Sequence, residues 1–358
     1  MTQLYPKLIL DALSTVRYPG KGKNIVEAGM VDDNIRIEGM KVSFSLVFEK
    51  PTDPFIKSMV KAAEAAILNG IGKDVEIKGN ISVRSLQSER PPVDKLLPQV
   101  KNIIGISSGK GGVGKSTVAA NLAVALAKHG YKVGLLDADI SGPSIPKMFQ
   151  VEDARPYAEK IEGRNMIVPV EKYGVKLLSI GFFVDPDQPT LWRGGMASNA
   201  LKQLINDVVW EELDYFLIDL PPGTSDIHLT VMQTLTMTGA VVVSTPQEVA
   251  LADARKGINM FTNPKMNVPI LGLVENMAWF TPAELPPNKY YIFGKEGVKN
   301  LAEKMDVALL GQIPIVQSIR ESGDNGTPVA LDENTITGKA FMELAENLIR
   351  QVERRNTR

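Results

Sequence analysis

Hydrophobic and polar positions change rhythm along this chain, and the change divides it in two. Helical spacing at Leu4, Leu8, Ile9, Ala12, Leu13 and Val16 runs into the turn signal Tyr18-Pro19-Gly20. After Ile25–Val31, alternation predicts a strand at Asn34–Ile37 and a second at Lys41–Phe48, with Val42, Phe44, Leu46 and Phe48 on one face. Ile56, Met59, Val60, Ala63 and Ile67 predict a helix over Phe55–Leu68, and Val75–Val83 alternates again as a third strand. Residues 1–90 therefore read as a small α+β domain. No titratable cluster marks a site in it, which favours a docking module over one with its own chemistry. Pro91, Pro92 and Pro98 make residues 91–100 a semi-rigid linker to a second domain over 101–358.

In that second part, apolar runs are nearly continuous rather than alternating. They fall at Ile103–Ser107, Val133–Asp137, Lys176–Gly181, Tyr215–Asp219, Gly239–Thr245, Pro269–Asn276 and Ala308–Ile313, with helical stretches between. Buried strands separated by helices imply a parallel sheet covered on both faces, which binds ligands beyond the C-terminal ends of its strands. Leu201–Trp210 has helical spacing, and Pro186–Gly195, with Trp192-Arg193-Gly194, is expected to loop over the site. Phe341, Leu344, Ala345, Leu348, Ile349 and Val352 form a terminal apolar stripe. Glu343, Glu346 and Glu353 dilute its basic face, so the stripe is expected to dock on the core rather than on a membrane.

The residues after these strands carry the chemistry. Gly109-Lys110-Gly111-Gly112-Val113-Gly114-Lys115-Ser116-Thr117 lies between the first strand and a helical segment, the order a phosphate cradle requires. Glycines permit positive φ and close approach, so successive N–H groups can converge on phosphates at a helix N-terminus. Lys115 would reach the β and γ phosphates, Ser116 would ligate Mg²⁺, and Thr117 would touch the α phosphate. Asp137-Ala138-Asp139 ends the second strand, where two carboxylates could orient water or the metal shell, or simply cap a turn. Asp219 ends the fourth, where it could hold Mg²⁺ through water, and Gly223 could offer an N–H to the γ phosphate. Lys110 is either a solvated loop lysine or a cation aimed at phosphate from a facing subunit.

Composition narrows the setting. A length of 358 residues suits about two domains on the ~150-residue prior, and 44% hydrophobic content suffices for real cores. Lys and Arg number 40 against 41 Asp and Glu, with no block of like charge, so nothing points to nucleic acid or an anionic membrane. No apolar run reaches membrane-spanning length and the start lacks a signal-peptide pattern, so a soluble cytoplasmic protein is expected. Cysteine is absent, which excludes disulfides, thiolate metal sites and Cys nucleophiles.

Lys110–Thr117 with its extra lysine, Asp137–Ser144 and Asp219–Asp226 together closely resemble the deviant Walker A ATPases related to MinD, and within them the Mrp/ApbC group of iron-sulfur cluster carriers. The resemblance implies a parallel-sheet P-loop NTPase domain of deviant Walker A type over 101–358. Residues 1–90, including Ile25-Val26-Glu27-Ala28-Gly29-Met30-Val31, resemble the small domain that precedes it. It further implies a homodimer that binds ATP and Mg²⁺, hydrolyses slowly, and passes iron-sulfur clusters to apoproteins or works with scaffold proteins. Gly109–Thr117 would hold the nucleotide, with Lys110 crossing to the partner's nucleotide. Asp139 would activate the attacking water, Ser116, Asp137 and Asp219 would serve the metal, and Asn276 would face the adenine edge.

The chain departs from that family where a Cys-x-x-Cys pair is expected: Thr281 and Glu284 stand there, ahead of Ile292-Phe293-Gly294, and the small domain's usual cysteine is replaced near Asp53. Clusters are held by thiolates, with His as the minor substitute. His129 and His228, the only histidines, read as capping or surface residues. Two alternatives accompany the carrier reading. One is an ATP-switched adaptor in iron-sulfur assembly with no cluster of its own; the other is a MinD or ParA-like positioning ATPase, disfavoured by the nearly neutral charge.

Overall fold

The computed structural model describes residues 4–19, 22–32, 34–48, 53–85, 96–161, 163–183, 195–282, 284–285 and 288–357. Backbone proximity divides the chain into two compact units, residues 1–93 and 94–358.

In the first unit, α1 (Pro6–Leu13), β1 (Arg36–Glu38), β2 (Lys41–Phe48), α2 (Ile56–Gly70) and β3 (Ile81–Ser85) follow in order. The sheet runs β1-β2-β3, with Ile37 opposite Val42 in an antiparallel pair and Phe44 opposite Ile81 in a parallel one. The helices present Ile9, Leu13, Met59, Ala63 and Ile67 to Val42, Phe44, Leu46 and Phe48, the pairing of apolar faces that the two periodicities require. The strand expected over Val75–Val83 is displaced. Val75 and Ile77 are buried, but the Asn80 N–H bonds to the Ile77 carbonyl at 3.0 Å and Gly79 has φ +77°, so a turn intervenes and β3 begins at Ile81. Glu76 still pairs with the start of β2 through a single parallel bridge to Lys41, so the turn splits the expected strand in two.

The second unit contains β4 (Val100–Ser108), α3 (Lys115–Lys128), β5 (Val133–Asp137), α4 (Ile145–Met148), β6 (Ala158–Ile161), β7 (Arg164–Ile167), β8 (Val170–Lys172) and β9 (Val175–Ser179). After residues 184–194, which lie outside the described set together with the expected loop at Trp192-Arg193-Gly194, come α5 (Gly195–Asn206), β10 (Leu213–Pro222), α6 (Asp226–Thr234), β11 (Gly239–Ser244) and α7 (Glu248–Thr262). The chain ends with β12 (Ile270–Phe280), α8 (Gly297–Lys304), β13 (Leu309–Ile315), α9 (Gln317–Asn325) and α10 (Ile336–Asn356).

Eight strands form the main sheet in the order β13-β12-β11-β4-β10-β5-β9-β8. All neighbours are parallel except β8, which returns antiparallel on β9, an edge strand that the apolar runs did not reveal. A separate hairpin of β6 and β7 was equally hidden, because its residues are exposed or half-buried and lack an apolar run. The fifth helix starts and ends earlier than Leu201–Trp210 suggests, with Trp210 buried beyond its end.

Two apolar layers enclose the sheet. Ile104, Ile106, Leu135 and Leu217 face α3 and α10, whereas Ile103, Leu136, Phe216 and Ile218 face α5 and α6. Ten residues of α3 are buried, which explains why its apolar pattern runs all round. In α10, Phe341, Leu344, Ala345, Leu348 and Val352 dock the stripe on this core. No helix of the described residues is long and apolar enough to cross a membrane. Because β4 lies between β11 and β10, and β10 between β4 and β5, the segments leaving the C-terminal ends of β4, β5 and β10 meet at one edge.

Candidate functional site

The turn from β4 into α3 is shaped by its glycines. Gly112 and Gly114 have φ of +81° and +83°, left-handed values that L residues with a side chain resist. Gly109 is required for a different reason: a Cβ there would lie 2.2 Å from the Asp253 carbonyl carbon, so α7 could not pack this closely. Of the backbone N–H groups from Gly111 to Thr117, none is given to another described residue. Seven successive donors thus remain available at the start of a helix, where an anion is favoured.

A cavity of about 220 Å³ opens at this turn. Lys110, Gly111, Gly112, Gly114, Lys115, Ser116 and Thr117 line it, together with Ser108, Asp139, Ser144, Met148 and Pro222. Two of the nine loop residues assigned to the nucleotide are not on its wall. Gly109 packs on α7, and Val113 is buried in the α3 layer, so both shape the loop from behind. Ser144 and Met148 were not anticipated; they reach the cavity through α4, a single helical turn too short to leave a periodic signal.

Lys115 is 6% exposed and its Nζ donates to Asp219 Oδ1 at 2.6 Å and to Ser116 Oγ at 3.2 Å. The other oxygen of Asp219, Oδ2, is buried without a partner among the described residues. Burial pushes the Asp219 carboxyl above the usual carboxylate range, while the facing Lys115 ammonium and the Ser116 hydroxyl pull it down. An orphaned carboxylate oxygen beside a hydroxyl is a hard-oxygen donor set, and it fits Mg²⁺, which keeps much of its water and takes few protein ligands.

Asp139 reaches the cavity, and burial raises its carboxyl, with Lys115 and the N–H groups of Gly142 and Ser141 opposing. Asp137 does not reach it, which corrects its assignment to the metal. It is fully buried, Oδ1 accepts the Asp139 N–H at 3.2 Å, and Oδ2 accepts the Ile145 N–H at 3.2 Å and the Ser179 hydroxyl at 3.0 Å. Its carboxylate is committed to shaping the β5–α4 segment that presents Asp139. Burial and the neighbouring Asp219 raise the Asp137 carboxyl to about 7.

Gly223 also differs from expectation. Its N–H donates to the Ser108 carbonyl at 2.8 Å, extending the β4–β10 pairing, and is therefore committed to the backbone rather than open toward a phosphate. Lys110 lines the cavity and forms no ion pair with a described residue. The Asn276 side chain, assigned to the adenine edge by resemblance, donates from Nδ2 to the Val113 carbonyl at 2.8 Å and lies where a Cβ on Gly114 would come within 2.1 Å. Adjacent Glu275 is fully buried. It accepts the Val298 N–H at 2.7 Å at the start of α8 and the Gln312 amide at 2.7 Å. The short Glu275-Asn276 pair thus ties the phosphate turn to α8 and β13, a role with no pattern of its own in the sequence.

Of the histidines, His129 is the C-cap of α3. His228 is a capping residue too, but it is fully buried rather than at the surface. Neither belongs to a metal cluster; among the described residues, no group of three or more His, Cys, Asp or Glu side chains is placed to hold an ion. Where the Cys-x-x-Cys pair was expected, Thr281 is half-buried and Glu284 exposed. Phe280 and Tyr290 exchange backbone bonds of 2.8 Å, and Lys289 Nζ lies 3.8 Å from the Trp279 ring centroid. Asp53 accepts the Tyr18 hydroxyl at 2.5 Å. With no cysteine anywhere in the chain, these residues do not fit a thiolate-held cluster.

Comparison with known proteins agrees with this geometry. Residues 99–349 match the family model described as the NUBPL iron-transfer P-loop NTPase, and residues 7–78 match the one described as an iron-sulfur cluster assembly protein. An iron-sulfur cluster carrier protein of Synechocystis is 42% identical over 347 residues, covering 96% of this chain and 97% of its own. The structure of a nucleotide-binding protein from Archaeoglobus fulgidus in complex with ADP is similar at 38% identity and a TM-score of 0.58, covering 67% of this chain and 92% of that one. The septum site-determining protein MinD of Pyrococcus horikoshii, complexed with Mg-ADP, is similar at 25% identity and a TM-score of 0.52, covering 71% and 98%.

Proposed function

The chain belongs to the NUBPL iron-transfer P-loop NTPase family, and from that premise we propose that it is a Mg²⁺-dependent, slowly hydrolysing ATPase. It works as a cytoplasmic homodimer whose nucleotide cycle serves the transfer of iron-sulfur clusters to apoproteins. The observation that carries this reading is the row of unclaimed N–H groups from Gly111 to Thr117 above the buried Lys115–Asp219 pair.

The pair explains the order of events. Without a phosphate, Lys115 would be a costly buried cation, and Asp219 holds it in place. When a triphosphate enters the turn, its β and γ oxygens compete for the Lys115 ammonium, releasing Asp219 Oδ1 beside the already free Oδ2. Ser116 and Asp219 would then hold Mg²⁺, which supplies charge neutralisation at the phosphates. Asp139, on the cavity wall, accepts a proton from the attacking water, and its raised carboxyl makes it a better base than a solvated aspartate. Lys110 extends from the rim to the nucleotide of a second copy and offsets transition-state charge there. Asn276 offers its remaining amide atoms to the base.

The cluster's thiolates come from a partner, since this chain has none. The same absence favours a second reading, an ATP-switched adaptor that docks assembly proteins and never touches the cluster. Both share the nucleotide step, which one substitution tests. Lys115→Ala is expected to abolish ATP binding measured by calorimetry; unchanged affinity would remove the phosphate assignment.

A further inference from the structure

Among the described residues three buried side-chain atoms lack a hydrogen-bond partner: Asp219 Oδ2, Ser107 Oγ and His228 Nε2. The first is accounted for by the metal shell. His228 is the instructive one, because it is a titratable side chain that the ATPase chemistry does not use. It lies at the third position of α6, immediately after the Asp219–Ser225 segment. Its Nδ1 accepts the Ser225 N–H at 3.2 Å, with Ser225 Oγ 3.1 Å away. A ring nitrogen that accepts carries no proton, so the neutral ring holds its hydrogen on Nε2, where it is buried and unanswered.

Nature ordinarily fills the third position of such a cap with Glu or Gln, which reach back to the same N–H. Here a rigid imidazole sits instead, packed 6.2 Å from the Phe261 ring. Burial first, and Lys115 second, lower His228 to about 4, so the acceptor stays uncharged at neutral pH.

We propose that His228 is a positioning residue for ATP hydrolysis: its Nδ1 pins the Ser225 backbone and so fixes the far end of the segment that carries Asp219 and Gly223. The near end is set by β10, and the Gly223 N–H is held by the Ser108 carbonyl at 2.8 Å. With Ser225 anchored as well, the segment is fixed at both ends, so that Asp219 keeps one place when phosphate draws Lys115 away from it. Phosphoryl transfer depends on placement within about 1 Å, so a loosened anchor is felt in turnover rather than in binding. The inference rests on the ATPase reading above.

Two substitutions test it. His228→Leu keeps an apolar body in the buried site but removes the acceptor; His228→Asn sets an oxygen close to the position of Nδ1. Both are expected to bind a fluorescent ATP analogue as the wild type does, with KM unchanged. Steady-state turnover should fall about tenfold in the Leu variant, the scale of a modest misplacement, and recover most of that loss in the Asn variant. Wild-type turnover in the Leu variant would show that the Ser225 anchor does not govern hydrolysis and would overturn the proposal. Equal slowness of both variants would also overturn it, because the Nδ1 acceptor would then not be what matters. A wild-type protein that binds no ATP would instead overturn the nucleotide reading itself, and this inference with it.

Discussion

Lys110 and Lys115 are five residues apart on one turn and have opposite environments, which is why they are expected to behave differently on substitution. Lys115 is buried and paired with Asp219; Lys110 lines the cavity without an ion pair among the described residues. Lys110→Ala should leave ATP affinity close to wild type and lower turnover by about 10³-fold, the lower end of what a charge supplied in trans contributes. Single-turnover hydrolysis beside a binding isotherm checks this, and normal turnover would exclude the cross-subunit role. Gly114 is limited by both conformation and space. Gly114→Ala places a Cβ at φ +83° and 2.1 Å from Asn276 Nδ2. The backbone strain alone should cost about 1–2 kcal/mol, and the displaced Asn276 should release Val113. A denaturant midpoint lower than wild type, together with lost ATP binding, is the expected pair of results. Little of this was legible in sequence. The pattern locates the glycines and the two lysines, but which residues face the cavity and which brace it from behind depends on α7 and β12, remote along the chain.

Elements were legible to the extent that they were apolar throughout. Central strands such as Tyr215–Asp219 stood out because both their faces are covered, and every one of their positions through Asp219 is buried or nearly so. Edge strand β8 and the β6–β7 hairpin did not, because each runs only three or four residues and none of those residues is buried. The third strand of the small unit was misplaced because buried Val75 and Ile77 flank a single bridge at Glu76, and a turn at Lys78-Gly79 separates them from β3. Helix α10 is the clearest amphipathic element. Its Phe341 is fully buried between α3 and the sheet, so Phe341→Ala should destabilise the second unit by about 3–5 kcal/mol. Chemical denaturation followed by tryptophan fluorescence reads this directly, and a change below 1 kcal/mol would mean that the helix does not hold the core together.

At the scale of the molecule, a member of an iron-transfer P-loop NTPase family carries no thiol. Anaerobic reconstitution of the full chain with iron and sulfide, followed by desalting, should leave no visible absorbance band and no bound iron, while ATP binding persists. A stoichiometric cluster would show that oxygen ligands suffice here. No described group of side chains anticipates that result.

The order of apolar runs, the glycines at 111, 112 and 114, and the acid-tipped strands were written in the chain itself. Periodicity and φ freedom are local properties, and each residue brings them wherever it sits. The division of labour among the acids was not local. Asp137 and Asp139 are two positions apart, yet one is consumed by Ser179 and the start of α4 and the other faces the cavity. Asp219 was given its lysine by α3, and the Gly223 N–H was taken by a carbonyl on β4. Those outcomes depend on which strands lie side by side, and strand order is settled by how the two apolar layers close over the sheet.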